Sequence, residues 1–326
     1  MQPLDGLREA VRARVCAPPR PDAVELAAGL RERAGDMLAA VVFFGSRKTQ
    51  ASPDAWSAYD FFVIVHGYRA FFASLRAHGA LRRPAWLVAA LNAVLPPNQV
   101  GITMTLADGR VARAKCAVVS SSAFLRETSH RRHDHFFLGR LCQQTELVLA
   151  GDGALREQVL DALADAHALT YTWVRPWLPA RFDVGEYCRT MLRVSFGAEI
   201  RPEPSDRAQA LWDAQQEYLR AVYGVLLHEL RRTGALLEPE SGVFSVARPA
   251  GRMERVRLQL YFAWSKVRAT ARWAKYVVTF DDWLEFILRK ARRHSGQAIE
   301  LTPRERKLPL LFLWPRVFRY FRHKDR

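Results

Sequence analysis

The sequence predicts a mixed α/β fold followed by a mostly helical region and a basic, aromatic C-terminal stretch. Three observations carry this prediction. Two apolar runs within AAVVFFGSRKTQASPDAWSAYDFFVIV, residues 39–44 and 59–65, are rich in β-branched and aromatic side chains, as buried strands are. QVGITMTLADGRVARAKCAVVS, residues 99–120, makes two strand-like runs about an Asp-Gly turn, a strong hairpin signal. After residue 146 the apolar positions recur at helical spacing, as in DRAQALWDAQQEYLRAVYGVLLHELRR.

Taken in order, Pro21 precedes a helix over residues 22–34, because proline suits a helix start. A strand over 39–44, a Gly-Ser turn and a strand over 59–65 follow. YRAFFASLRAH (68–78) and PAWLVAALNAVL (84–95) have helical spacing, and Pro96-Pro97-Asn98 ends the second. After the hairpin, Ser121 or Ser122 supplies an N-cap for the next helix. From 146 to about 238 the chain reads as helix, and the remainder is basic and aromatic. The expected divisions are therefore 1–145, 146–240 and 241–326.

Composition narrows the function. With 49% hydrophobic residues in 326, the chain can bury substantial cores. Four cysteines without a Cys-x-x-Cys pair are expected to be reduced thiols in a cytoplasmic-type compartment. Charges fall where a secretory signal would be apolar, and no uninterrupted apolar run reaches the roughly 18 residues of a spanning helix. Net charge is +16, and thirteen of those charges lie beyond residue 247, where twenty Lys and Arg face seven Asp and Glu. Such a field attracts nucleic acid or an anionic lipid surface.

Gly45-Ser46 closes the first apolar run, and Asp60 sits just inside the second. A glycine turn lets backbone N–H groups approach phosphate oxygens, and a carboxylate on the next strand can hold a divalent cation against them. An ordinary tight turn with a surface aspartate has the same pattern. Paired acids at i and i+2 would share one face of a strand, but the partner position here is Ala58.

The stretch FFGSRKTQ…SAYDFFVIV resembles the mitochondrial-type phosphatidate cytidylyltransferases, the translocator assembly and maintenance family within the nucleotidyltransferase superfamily. That family has a Tyr-Gly-Ser-Gly turn followed by a strand with one aspartate in an apolar setting. Three further stretches are similar in the same order over roughly residues 40–230. AKCAVVSSSAFLRET places Lys115 on the family's lysine. FFLGRLCQQTELV places Arg140 on its arginine. FDVGEYCRTMLRVSFGAEIRPE places Glu199 on its aspartate and Arg201 on its arginine. The turn departs from the family in having Arg47 for glycine, and Gln143 replaces a lysine.

The resemblance implies a nucleotidyltransferase-type mixed sheet and transfer of CMP from CTP to phosphatidic acid, giving CDP-diacylglycerol and pyrophosphate. It assigns Asp60, Lys115 and Arg140 to catalysis, and Gly45, Ser46 and Arg47 to the nucleotide. Mg2+ falls to Asp60 with Glu199, and the substrate phosphate to Arg201. A Glu199–Arg201 ion pair is an equal reading of those two residues. A nucleotidyltransferase acting on RNA or protein shares the Gly-Ser turn, and an inactive membrane-bound relative is a third reading. Nucleic acid is not the expected partner, since those branches generally keep the acid pair that Ala58 breaks.

SHRRHDHFF, 129–137, offers His130, His133, Asp134 and His135, but their spacing matches no compact zinc pattern. It is expected to be a solvated or substrate-facing basic turn. RVRLQLYFAWSKVRATARWAKYVV and KLPLLFLWPRVFRYFRHK interleave Arg and Lys with aromatic and aliphatic residues. The second suits contact with an anionic membrane surface, and the first suits that or core packing equally. The protein is expected to lie peripherally on the inner face of a membrane.

Overall fold

Strands β1 (Leu38–Phe44) and β2 (Tyr59–Val65) are apolar at nearly every position because helices cover both faces of their sheet. The computed structural model describes residues 4–49, 58–151, 153–198, 207–279, 301–307 and 312. These fall in two units, Met1–Lys275 and Tyr276–Arg326.

In the first unit, β3 (Asn98–Thr105), β4 (Val111–Ser120) and β5 (Glu146–Ala150) complete a five-stranded mixed sheet ordered β3-β4-β2-β1-β5. β2 and β4 run parallel, and the other neighbouring pairs are antiparallel. On one face, α2 (Pro21–Ala34), α4 (Tyr68–Ala77) and α5 (Ala85–Val94) bury Val41, Phe43, Phe61 and Val63. On the other, α1 (Asp5–Val15), α6 (Ser121–Glu127) and α8 (Gly153–Ala168) share a core with Val42, Phe62, Ile64 and Val119. α10 (Val184–Gly197) and α11 (Arg207–Arg232) extend this second core. Each fully buried Phe, Ile or Val contributes about 1.5–3 kcal/mol, so the two cores together fix the sheet. Short helices α3 (Ser46–Thr49), α7 (Leu138–Leu141) and α9 (Thr170–Val174) lie between these elements. The hairpin β6 (Leu236–Glu240) and β7 (Val243–Val246) precedes the long helix α12 (Arg252–Thr279).

Three local expectations change. Residues 146–150 form an edge strand rather than helix, pairing Val42 with Leu147 and Phe43 with Glu146. A five-residue run is too short to display a period, and the open edge of β1 decides its conformation. Residues 236–240 likewise pair as a hairpin, turning at Gly242 with φ of 75°. The cap of α6 is Ser120, whose Oγ accepts the Ala123 N–H at 3.3 Å, one residue before the serines expected.

In the second unit, the helix Pro303–Lys307 begins on a capping box. Glu305 N–H donates to Thr302 Oγ1 at 3.3 Å, and Thr302 N–H donates to Glu305 Oε2 at 2.8 Å. Most of the C-terminal stretch expected to touch a membrane, residues 308–311 and 313–326, lies outside the described residues, as do Glu199 and Arg201.

Candidate active site

The end of β1 determines the geometry of the bend. Gly45 has φ of 85°, in the left-handed region, and its carbonyl accepts the N–H groups of Lys48 at 3.0 Å and Thr49 at 3.2 Å. These bonds wind the chain directly from strand into α3. Phe44 pairs with Asp60 across β1 and β2, which brings the Asp60 side chain up against the bend. A Cβ built on Gly45 would lie 2.5 Å from Asp60 Oδ2 and 3.2 Å from its Cγ. Glycine is therefore required here twice, for its backbone conformation and for the carboxylate it admits.

Lys115 is the parallel partner of Asp60 on β4. Adjacent strands lie about 4.8 Å apart, so the two residues stand side by side. Their face is set by their neighbours: Phe62 and Ile64 on β2, and Ala117 and Val119 on β4, all belong to the second core. Asp60 also acts through the sheet, since burial and then its charge push the Cys116 thiol up to about 12.

Arg140, on α7, approaches the same face. Its Nη1 donates to the Phe136 carbonyl at 2.7 Å, and its guanidinium stands 3.8 Å from the centroid of the Phe136 ring. Phe136 meets Phe62 edge-on at 6.3 Å, and Phe62 stacks on Phe44 at 4.4 Å. An aromatic cluster thus links Arg140 to the strand ends that carry Asp60 and the bend.

Arg47 points elsewhere. Its guanidinium lies 4.6 Å from the Tyr59 ring centroid, and its Nη1 donates to Tyr59 Oη at 3.2 Å. Tyr59 belongs to the opposite face of the sheet and donates to Asp22 Oδ2 at 2.5 Å. Burial opposes ionisation of Asp22, but the bonds from Tyr59 and Arg20 hold its carboxyl below the usual value. Lys48 pairs with buried Glu146 on this same side. Arg20, Asp22, Tyr59 and Glu146 thus brace the bend from behind. Nothing in their sequence spacing marks this role, because the contacts join segments 37 to 126 residues apart.

The segment expected as a solvated or substrate-facing basic turn is partly interior. His130, Arg131 and His133 are exposed, whereas Asp134 and His135 are fully buried. Asp134 Oδ2 accepts from Arg268 Nε at 2.6 Å and Arg272 Nη2 at 2.5 Å, while its Oδ1 accepts the Phe136 N–H at 3.0 Å. His135 sits edge-on to Trp173 and Phe262. The partners on α12, Phe262, Arg268 and Arg272, lie about 130 residues downstream, beyond any local motif.

No protein-family model matches the chain, and no curated protein matches it. The site therefore rests on its own geometry. Among the described residues no three His, Cys, Asp or Glu side chains converge as a metal cage. Magnesium is commonly held by one or two carboxylates with substrate phosphates and water, and Asp60 at the bend fits that donor set. Two surface grooves, along Val225–Arg232 and between α1 and α8, contain none of these residues.

Replacing Gly45 by alanine tests the fit of bend to carboxylate. The positive φ alone costs roughly 1–2 kcal/mol, and the contact with Asp60 adds to it. Denaturant unfolding should show the full loss in the wild-type background and a smaller one beside Asp60→Ala. Equal losses in both backgrounds would mean that the carboxylate does not abut the bend.

Proposed function

We propose that the chain is a CTP-dependent nucleotidyltransferase that transfers CMP to phosphatidic acid, releasing pyrophosphate and forming CDP-diacylglycerol. The observation that carries this reading is Asp60 Oδ2 lying against the Gly45 bend with Lys115 as its strand neighbour. Charge explains the rest. A phosphate monoester has a second pKa near 6 and is largely dianionic at neutral pH, so the acceptor needs no general base. The difficulty is bringing two polyanions together.

Lys115 and Arg140 supply positive charge on the face where the phosphates would meet. Arg140 is held by the Phe136 carbonyl and ring, so it needs little reorganisation as charge moves onto the leaving pyrophosphate. Asp60 would hold magnesium, with Glu199 as its proposed second carboxylate and Arg201 on the acceptor phosphate. When bound, that ion supplies Lewis-acid screening of the triphosphate. The bend of Gly45 and Ser46 admits the nucleotide phosphates, and Arg47 serves the bend by bracing it against Tyr59. No helix of the described residues is long and apolar enough to cross a membrane, which is compatible with a protein that meets its lipid from the surface.

The test is direct. The purified chain, magnesium and labelled CTP are incubated with phosphatidate in mixed micelles, and in parallel with RNA or protein acceptors. Label is expected in the lipid. Label in RNA or protein instead, or in no acceptor, would overturn the assignment.

A further inference from the structure

We propose that α12 docks the protein onto an anionic bilayer through the face turned away from its core. The helix has two unlike sides. Tyr261, Ser265, Arg268, Arg272 and Lys275 recur every three or four residues, so they form one stripe, and that stripe is bonded inward. Arg132 Nε donates to Tyr261 Oη, His135 N–H to Ser265 Oγ, and Arg272 Nε to the Pro96 carbonyl at 2.8 Å. Lys275 Nζ donates to the carbonyls of Leu95 and Pro97.

A neighbouring, solvent-facing side, about 100° round the helix, carries Met253, Val256, Leu260, Trp264 and Val267, again three or four apart. Their exposures are unusual for such residues: Met253 79%, Leu260 66%, Trp264 54% and Val267 57%. Exposed Ala271 and Ala274 continue the stripe. At about 1.5 Å per residue, the large side chains alone extend over about 20 Å of apolar surface. Exposed Arg252, Arg255, Arg257 and Lys266 flank it.

The chemistry of that border selects the occupant. An apolar stripe with a tryptophan and cationic stems suits the headgroup boundary, where rings and aliphatic chains enter and the charges reach lipid phosphates. A second copy of the chain docked by two-fold symmetry would set two rows of Arg and Lys against each other. Nucleic acid would engage the cations but leave the Met, Leu and Val stripe in water. The inward bonds hold the helix against the body, so the apolar side is presented without unfolding.

The full chain is tested by co-sedimentation, without CTP or phosphatidate, on phosphatidylcholine vesicles containing about one-third phosphatidylglycerol. Binding is expected there and not to phosphatidylcholine alone. Leu260→Asp with Trp264→Asp and Val267→Asp should weaken it at least ~10-fold, while Leu237→Asp, at another exposed apolar position, should not change it. Replacing Arg252, Arg255, Arg257 and Lys266 by glutamine should weaken binding and flatten its salt dependence, and serves if the triple variant misfolds. Undiminished binding by a folded stripe or charge variant would overturn the proposal. So would failure of the wild type to bind, or a wild-type dimer that the stripe variant makes monomeric. Transfer to a water-soluble, short-chain phosphatidate should survive in the stripe variant. This docking stands apart from the catalytic reading: vesicle binding without CMP transfer would sink only the latter.

Discussion

Asp60→Asn is expected to lower CMP transfer to phosphatidate by about 10^2–10^3-fold while leaving the folded protein intact, a loss of the size seen when a preorganised electrostatic group is removed. The substitution keeps shape and removes charge. Asp60 is half-buried, paired in backbone register with Phe44 and Lys115, and asparagine preserves that register. What disappears is the anionic oxygen beside Gly45, and with it the proposed hold on a divalent cation. Label transfer from CTP reads the activity, and thermal unfolding reads the fold. Activity within tenfold of wild type, from a variant with an unchanged melting temperature, would remove Asp60 from the chemistry and end the enzymatic reading. Lys115→Met makes a useful comparison, since it deletes charge of the opposite sign from the neighbouring strand position.

The parts of the fold written into local pattern were legible, and those made by distant partners were not. The run expected at 59–65 is strand β2 at those bounds, and 39–44 differs from β1 by one residue. Both are runs apolar at nearly every position, the first closed by Gly45 and the second by His66-Gly67. The 99–120 hairpin follows from Asp108-Gly109, and Gly109 takes φ of 81°. The neighbourhood of Gly45 and Asp60 was legible because one strand-turn-strand unit generates it. Glu146, by contrast, lies in a strand whose only signal is the free edge of β1. Arg47 stood in the sequence beside the phosphate turn, yet Tyr59 and Asp22 fix its direction from the opposite face. Asp134 looked solvated because its neighbours Arg131, Arg132 and His133 are polar; the arginines that bury it come from α12. The helical period of residues 255–275 left packing and membrane contact equal, and α12 devotes its inner side to packing.

Asp134→Ala is expected to destabilise the protein by about 3–5 kcal/mol, the usual result of stranding a buried charge. Asp134 is fully buried, and Arg272 is only 2% exposed. Removal of the carboxylate leaves Arg272 with its bond to the Pro96 carbonyl and its contact with the Phe136 ring, neither of which balances a positive charge. Arg268, less deeply placed, loses the same partner. The loss also reaches the candidate site, because Asp134 Oδ1 holds the Phe136 N–H and Phe136 holds Arg140. Asp134→Asn, which retains one oxygen acceptor and the packing, should restore part of the stability. The pH dependence gives an independent check. Burial favours the neutral acid, but the charge and hydrogen bond of Arg272, with the bond from Arg268, hold the Asp134 carboxyl below its ordinary value of 3.8. A folded pKa below the unfolded one means that the unfolded chain takes up this proton first as the medium is acidified. Stabilisation by Asp134 is therefore complete above the unfolded pKa and is lost as pH falls through the folded one. Urea unfolding should show a constant gap between wild type and Asp134→Ala from neutral pH down to about 4, narrowing below it. A gap that instead widens in acid, or a variant as stable as wild type at neutral pH, would show that the carboxylate does not carry the two arginines.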